Sequence, residues 1–197
     1  MKVRREILPE SANGALRQVA REIPASEILS ATIQGLISDM KKLLAKEEYG
    51  VALAAPQVGE PLRLFIVSGK ALSRGSRNAP DEPAPSVSKS DSSLRTTHYA
   101  LPTTPDQVYI NPVMTKLSRE KSEKHEGCLS VRGKWGEVLR SEKATVQAYD
   151  TDGRRFARGA SGFLAHIFQH EMDHLEGILY TDKATHVYDE QPEEKSV

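Results

Sequence analysis

The clearest signal in the chain is the segment Gln169-His170-Glu171-Met172-Asp173-His174-Leu175, which contains a His-Glu-x-x-His pattern. On an α-helix with about 3.6 residues per turn, His170 and His174 lie one turn apart on the same face, close enough to bind one cation. Glu171 lies beside that face, where a carboxylate is better placed to accept a proton from a metal-bound water than to bind the metal. The pattern therefore predicts metal-assisted hydrolysis.

The alternative is that these histidines are ordinary groups on a solvated helix face. The surrounding apolar residues argue against this, because they recur at helical spacing and predict a largely buried helix. They are Phe163, Leu164, Ile167, Phe168, Met172 and Leu175. Imidazoles and a carboxylate in a buried helix need partners, since unpaired polar groups away from water are costly. A metal ion is the partner that the pattern favours.

A third ligand has to come from another part of the chain, and the single cysteine, Cys128, is the candidate. A lone cysteine cannot form an intramolecular disulfide, and its ordinary role is that of a small buried hydrophobic residue. Beside a cation, however, the thiol loses its proton readily and binds as the thiolate. One cysteine and two histidines leave a fourth position for water, which is typical of catalytic metal sites.

His166 lies one further turn before His170, so the helix could in principle supply three histidine ligands. Three successive positions of this kind span about 12 Å between the first and last Cα atoms, too far for ligand bonds of about 2 Å to converge on one ion. We therefore expect His166 to pack beside the ligands or to support them. His98, His125 and His186 lie in polar surroundings and are expected at the surface.

Three separate segments resemble the signature blocks of the peptide deformylase family. They occur in the family's order and are Gly50-Val51-Ala52-Leu53-Ala54-Ala55-Pro56-Gln57, Glu126-Gly127-Cys128-Leu129-Ser130 and Gln169-His170-Glu171-Met172-Asp173-His174-Leu175. The resemblance extends from about Arg4 to Lys183. It implies a hydrolase that removes the formyl group from the N-terminal formyl-methionine of newly made polypeptides at the ribosome and releases formate.

The resemblance also assigns catalytic roles. The metal ligands would be Cys128, His170 and His174. Glu171 would act as general base for a metal-bound water that attacks the formyl carbon, and then as general acid. The backbone N–H of Leu129 and the side-chain amide of Gln57 would stabilise the oxyanion.

The remaining implications concern the substrate and the metal. The extended peptide would add as a strand along the backbone near Val51 and Ala52. The implied substrate-binding residues are Val51, Ala52, Glu126 through its methylene groups, Gly127 and Phe163. One divalent ion is expected, Fe²⁺ in the cell, with Zn²⁺, Ni²⁺ or Co²⁺ suited to the same ligands in purified protein.

The chain departs from the family pattern at two positions near the site. Ala52 stands where the family usually has glycine, and Trp135 stands near the position of an arginine thought to meet the substrate.

Two other functions remain open. A metallopeptidase with the His-Glu-x-x-His pattern would need a downstream third ligand, and His186 is the only late histidine. A non-catalytic relative would bind peptide termini only.

The rest of the sequence predicts an α+β fold, with mixed or antiparallel sheets packed around the metal-binding helix and an N-terminal helix covering the sheet. That helix is expected to begin at an N-cap Ser26 and to end before Gly50. The strands are predicted at residues 62–68, 108–117, 143–149 and 154–160, the last two joined by a hairpin turn at Asp150-Thr151-Asp152-Gly153. Pro112 suggests that the second strand lies at a sheet edge.

Length and composition predict one catalytic domain over residues 1–197. Residues from about 70 to 106 are rich in serine and proline and predict a flexible insertion, and the polar segment 185–197 predicts a frayed tail.

The 27 basic and 27 acidic residues give no net electrostatic field that would attract the protein to nucleic acid or to an anionic membrane. The charged N-terminal segment has no apolar run, so we expect a cytoplasmic protein without a secretory signal or a membrane span. Nothing indicates the oligomeric state.

Overall fold

The structure, a computed structural model, describes residues 5–75 and 104–189. Most of the predicted insertion at 70–106 and the last part of the predicted tail lie outside these residues. The strands of the described part are β1 Ala52–Ala54, β2 Leu64–Val67, β3 Gln107–Leu117, β4 Lys121–Cys128, β5 Val131–Ser141, β6 Lys143–Tyr149, β7 Arg155–Ser161 and β8 His186–Asp189. The α-helices are α1 Ala31–Lys46, α2 Gly69–Gly75, α3 Gly162–Leu175 and α4 Tyr180–Lys183.

Two antiparallel sheets form the frame of the fold. The larger sheet has the strand order β1-β2-β3-β6-β7, and the smaller has the order β4-β5-β8. Helix α3 packs against strands of both sheets. The predicted α+β class, with antiparallel sheets around a central helix, is confirmed. No helix in the described part of the chain is long and apolar enough to cross a membrane.

Strand β2 shows how the larger sheet is buried. All four of its residues are buried, because helices cover both faces of the sheet. Leu64 and Ile66 join the apolar cluster that contains the buried face of α1, whereas Phe65 and Val67 join the cluster that contains α3. Side chains alternate between the two faces of a strand, so a continuous apolar run packs against α1 on one face and against α3 on the other. The N-terminal helix covers the sheet as the sequence predicts.

The start of α1 differs from the prediction. Ser30, and not Ser26, is the N-cap, and its Oγ accepts a hydrogen bond from the backbone N–H of Ile33 at 3.3 Å. Residues Ala25–Glu27 form a separate 3-10 turn. Both serines have the chemistry of a cap, so the sequence did not distinguish them.

The position of β3 also differs from the prediction. It lies between β2 and β6, and not at an edge. Its register shifts between Ile110 and Val113, so the strand bulges at Pro112, where a missing N–H interrupts the ladder least. Asn111 adopts a positive φ of 49° in this bulge. Its side chain bonds both the N–H and the carbonyl of Ile23, which ties the N-terminal segment to the sheet.

The smaller sheet was not predicted. Along β4 the burial alternates between exposed and partly buried residues, and the strand has few large apolar side chains, so the sequence lacks a strand signal there. Residues 186–189 of the predicted frayed tail form β8, with Trp135 paired to Tyr188. The start of the predicted insertion is also ordered, because α2 buries Ala71 and Leu72.

Candidate active site

The segment that contains Cys128 and the segment that contains the His-Glu-x-x-His pattern meet where α3 approaches the end of β4. The ligand atoms of Cys128, His170 and His174 lie within 4.8 Å of one another. Cys128 Sγ is 3.3 Å from His174 Nε2. In the described part of the chain this is the one group of three or more histidine, cysteine or acidic side chains arranged to hold a metal ion. One thiol and two imidazoles form a donor set that suits a divalent transition metal.

Cys128 is held by the turn that follows it. Strand β4 ends at Cys128, which pairs with Val131 across the turn formed by Leu129 and Ser130. The carbonyl of Ser130 accepts a hydrogen bond from the backbone N–H of Glu10 at 2.9 Å. The N-terminal segment therefore fixes the turn that carries the thiol.

Helix α3 is fixed against β5 by the first residue of its motif. The side-chain amide of Gln169 donates to the carbonyl of Ser141 at 2.8 Å, and its oxygen accepts from the N–H of Ser141 at 2.9 Å. Because this side-chain amide bonds both the N–H and the carbonyl of Ser141, it fixes the position of α3 along β5. Sequence analysis did not assign this role to Gln169, since its partner lies 28 residues earlier.

His170 is oriented by Glu126, which is only 2% exposed. Its Nδ1 lies 2.7 Å from Glu126 Oε2. Because a carboxylate only accepts hydrogen bonds, the proton resides on Nδ1, and Nε2 keeps the lone pair that a metal requires. A histidine held by a carboxylate in this way is the usual support of a metal ligand.

Glu126 is charged although it is buried. Burial alone would raise the pKa of its carboxyl group, but hydrogen bonds from His166, His170 and Arg140 hold that pKa well below its ordinary value. Arg140 binds both oxygens, with Nε 2.6 Å from Oε1 and Nη2 3.0 Å from Oε2. The predicted role of Glu126, a pocket wall through its methylene groups, is therefore incomplete, because its carboxylate anchors a polar network.

The network continues behind the site to residues that sequence analysis missed. Nη1 of Arg140 donates to Asp173 at 2.6 Å, and Lys183 donates to the other oxygen of Asp173 at 2.5 Å. Asp173 lies between the two candidate histidine ligands of α3 in sequence but points to Arg140. No spacing in the sequence connects these residues, because the packing of β5 against α3 brings them together.

The thiol and Glu171 have shifted pKa values. Burial alone would raise the pKa of the Cys128 thiol, but the imidazoles of His174 and His170 lower it well below its ordinary value, which favours the thiolate that binds metals. Burial raises the pKa of Glu171 to about 7. Glu171 Oε2 and His174 Nδ1 are buried without a hydrogen-bond partner among residues 5–75 and 104–189. Polar atoms left in this state mark a site that a ligand or water completes.

Gln57 lies beside the thiol. It belongs to the 3-10 helix Ala55–Val58, which follows β1 directly. Its oxygen accepts a hydrogen bond from the N–H of Ala54 at 2.8 Å, which turns the amide nitrogen toward Cys128 Sγ, 3.4 Å away. Leu129, the other predicted oxyanion donor, follows Cys128 in the turn. Both therefore lie next to the candidate metal ligands.

A cavity of about 510 Å³ opens at this site. All five residues predicted to bind substrate line it, and these are Val51, Ala52, Glu126, Gly127 and Phe163. Gln57, Cys128, Leu129, His170 and Glu171 line it as well. Trp135, which is 37% exposed, forms part of the wall. A Cβ atom at Gly127 would lie only 3.3 Å from the Trp135 ring, so the glycine lets the indole cover the strand beside the cysteine.

His125 and His186 lie apart from the candidate metal ligands. His125 and His186 are exposed, and His125 Nδ1 is 2.9 Å from the hydroxyl of Tyr188. His186 is not part of the clustered ligand group, which argues against the arrangement of a metallopeptidase with a downstream histidine ligand. His98 lies outside the described residues. His166 is buried beside Glu126, as a packing or supporting role predicts.

Comparisons with known proteins match this geometry. Residues 5–190 fit the model of the polypeptide deformylase family. Peptide deformylase 1A of Arabidopsis thaliana, named chloroplastic/mitochondrial, is 38% identical over 179 residues, which are 89% of this chain and 61% of that protein. The chain thus spans less than two thirds of the plant relative. The peptide deformylase of Desulforudis audaxviator is 33% identical over 177 residues, covering 88% of this chain and 89% of that protein.

A solved structure shows the same fold. The class I type b peptide deformylase of Acinetobacter baumannii, crystallised with Met-Ala-Ser bound, superposes with a TM-score of 0.70 at 28% identity. The match covers 93% of this chain and 99% of that chain. The three sequence blocks, the fold and the matched length agree, and the chain belongs to the polypeptide deformylase family.

Proposed function

We propose that this protein hydrolyses the formyl amide at the N-terminal formyl-methionine of newly synthesised polypeptides, releasing formate and a free amino terminus. The observation that carries the proposal is the clustering of Cys128, His170 and His174, two of which line one cavity together with Glu171 and Gln57. A lone metal site, a lone acid or a lone amide would not distinguish this activity from other hydrolyses. Membership in a metal-dependent family agrees with the donor set.

The proposed metal ligands are Cys128, His170 and His174. A divalent cation bound by them would supply the Lewis acidity that makes water nucleophilic near neutral pH. We propose Fe²⁺ as the ion in the cell, while Zn²⁺, Ni²⁺ and Co²⁺ can use the same nitrogen and sulfur ligands. The support of His170 by the Glu126 carboxylate favours a ligand role for this histidine.

Glu171 is the proposed proton carrier. It would take a proton from the attacking water and later deliver it to the amine as the carbon–nitrogen bond breaks. Its Oε2 is buried, lacks a partner within the described residues and belongs to a side chain that lines the cavity. A carboxylate without a structural hydrogen bond is free to serve the water and the leaving group in turn.

Gln57 and Leu129 are the proposed oxyanion donors. With its oxygen anchored by the N–H of Ala54, Gln57 directs its amide nitrogen to the thiol, 3.4 Å from Cys128 Sγ and 3.5 Å from Ser130 Oγ, on the side where we propose that the reacting carbonyl binds. The N–H of Leu129 would supply the second bond. Donors that are fixed before the reaction stabilise the developing charge without reorganisation, and each typically contributes about 10²–10³-fold to the rate.

The peptide is proposed to bind as an added strand along β1. This strand is the first in the order of the larger sheet and pairs only with β2 among the described strands, so one edge remains available beside the cavity. The methionine side chain would enter the cavity between Val51, Gly127 and Phe163, with the backbone of Ala52 beside the peptide. The Acinetobacter relative has been crystallised with Met-Ala-Ser bound, which supports a peptide as the ligand proposed for this chain.

The setting of the reaction follows from its substrate. We propose that the protein meets formylated peptides as they leave the ribosome, in the cytoplasm. The chloroplastic/mitochondrial name of the Arabidopsis relative makes an organelle the alternative compartment. Microscopy of the tagged protein in its own cells distinguishes the two.

The decisive experiment measures formate release from formyl-Met-Ala-Ser by the wild type and by Glu171→Gln. The amide keeps the shape of the carboxylate but cannot carry the proton, so we expect kcat to fall by about 10²–10⁴-fold while bound metal is unchanged. Acetyl-Met-Ala-Ser serves as the substrate control, with no acetate release expected. Activity of Glu171→Gln within tenfold of the wild type, at equal metal content, contradicts the assignment.

A further inference from the structure

His166 contacts the residue that orients a proposed metal ligand. It lies one helical turn before His170 on α3 and is 8% exposed. Its Nε2 lies 3.0 Å from Oε1 of Glu126, whereas His170 Nδ1 lies 2.7 Å from Oε2. One carboxylate from β4 therefore spans two histidines on the same face of the helix.

The hydrogen bonds of Glu126 are evenly divided between its two oxygens. Oε1 faces Nε of Arg140 at 2.6 Å and Nε2 of His166 at 3.0 Å. Oε2 faces Nη2 of Arg140 at 3.0 Å and Nδ1 of His170 at 2.7 Å. Each oxygen thus lies within 3.0 Å of two nitrogen atoms, which holds the carboxylate in one orientation. Because a carboxylate only accepts, His166 has to be a donor through Nε2.

We propose that His166 is a positioning residue for metal binding, acting through Glu126 on the ring of His170. Without the imidazole, Oε1 loses one of its two donors in a site where an unsatisfied oxygen is costly, and the carboxylate rotates to recover a partner. The rotation weakens the contact that orients His170. The bound metal then dissociates faster, although no ligand has been changed.

This inference rests on the proposed metal-dependent function and concerns the retention of the metal. Outer partners of a ligating histidine typically change metal affinity by about 10–100-fold when they are removed. His166 acts one step further out, and Arg140 still holds Glu126 in its absence. We therefore expect an effect below that range, about five- to tenfold.

The test uses the protein loaded with Co²⁺ and measures the half-time of Co²⁺ transfer to an excess of chelator. We expect His166→Leu to shorten the half-time about five- to tenfold and to shift the visible absorption of the ion. His166→Gln keeps a donor at the place of Nε2 and is expected within twofold of the wild type. The matched control His186→Leu removes an exposed histidine of β8 and is expected to change neither quantity.

The outcomes separate the inference from the function on which it rests. A half-time for His166→Leu equal to that of the wild type overturns the inference, and so does a His166→Gln half-time as short as that of His166→Leu, since packing alone would then explain the loss. If His166→Leu does not fold, His166→Asn replaces it, because its shorter amide cannot reach Glu126. Retention of Co²⁺ by Cys128→Ala would instead refute the proposed ligand set. Loss of Co²⁺ by Cys128→Ala with no effect of His166→Leu refutes the positioning role alone.

Discussion

The two sides of helix α3 bury different kinds of groups. Toward the larger sheet, Phe168 packs against Phe65 and Tyr109, with ring centroids 6.3 and 5.2 Å away. Toward the smaller sheet, Glu126 and Arg140 form a buried ion pair that extends to Asp173. One face of the helix is thus held by apolar packing, and the other by directional bonds between charges.

The difference has an energetic consequence. Apolar packing is non-directional, so a small loss of volume costs a limited amount and leaves the neighbours in place. A buried charge network depends on every partner, because removing one leaves the others desolvated and unpaired. Substitutions on the apolar side of α3 should therefore cause small losses of unfolding free energy. Substitutions in the charge network should cause large ones. The proposed metal ligand His170 depends on the charge network, because Glu126 orients its ring.

The largest loss of stability is expected for Arg140→Met. The substitution leaves Glu126 and Asp173 without their guanidinium in a buried site, which costs about 3–5 kcal/mol of unfolding free energy. Denaturant unfolding followed by circular dichroism measures it. We also expect faster metal release, since Glu126 loses two of its four bonds.

The control for Arg140→Met is an exposed ion pair. Arg132 pairs with Glu47 at 2.9 Å, and its side chain is well exposed. Such pairs contribute about 0–1 kcal/mol, so Arg132→Met should change the unfolding free energy by no more than that. Equal losses for the two variants would show that the polar side of α3 is not the sensitive one.

The next effect is on turnover and concerns Gln57→Leu. Loss of one proposed oxyanion donor should lower kcat for formate release about 10²–10³-fold, with metal content unchanged. The matched control is Gln34→Leu, because Gln34 is likewise a glutamine whose side chain bonds the backbone, donating to the carbonyls of Ile28 and Thr151, but it lies on α1. A wild-type kcat for Gln57→Leu would remove this residue from the mechanism.

The contrast between the two sides of α3 also explains what the sequence could predict. Strands of the larger sheet have apolar runs or clean alternation, so β2, β3, β6 and β7 were found within two residues of their observed ends. The sequence also predicted the three side chains that the fold brings together as candidate metal ligands, because two of them are four residues apart on one helix and the third is the only cysteine. Local periodicity was enough in these places.

The polar side of α3 could not be predicted from local pattern. Strands β4, β5 and β8 pair with one another in the smaller sheet, but β4 has no large apolar side chain that would mark it as a strand. Arg140 lies 14 residues after Glu126 and 33 before Asp173, so nothing in the sequence connects the three. Their meeting depends on the β4–β5 register and on the Gln169 bonds that dock α3.

The smallest effect is expected for Ile66→Val, on the apolar side of the larger sheet that faces α1. The loss of one buried methylene should cost about 0.5–1.5 kcal/mol of unfolding free energy. Formate release should remain within twofold of the wild type, because Ile66 belongs to the cluster that contains α1 and not to the one that contains α3. Denaturant unfolding and the formate assay on the same preparation measure both quantities. A fall in kcat of tenfold or more would mean that a change of packing on the α1 face of the sheet affects the candidate metal ligands through β2. The two faces of the larger sheet could then no longer be treated as energetically separate.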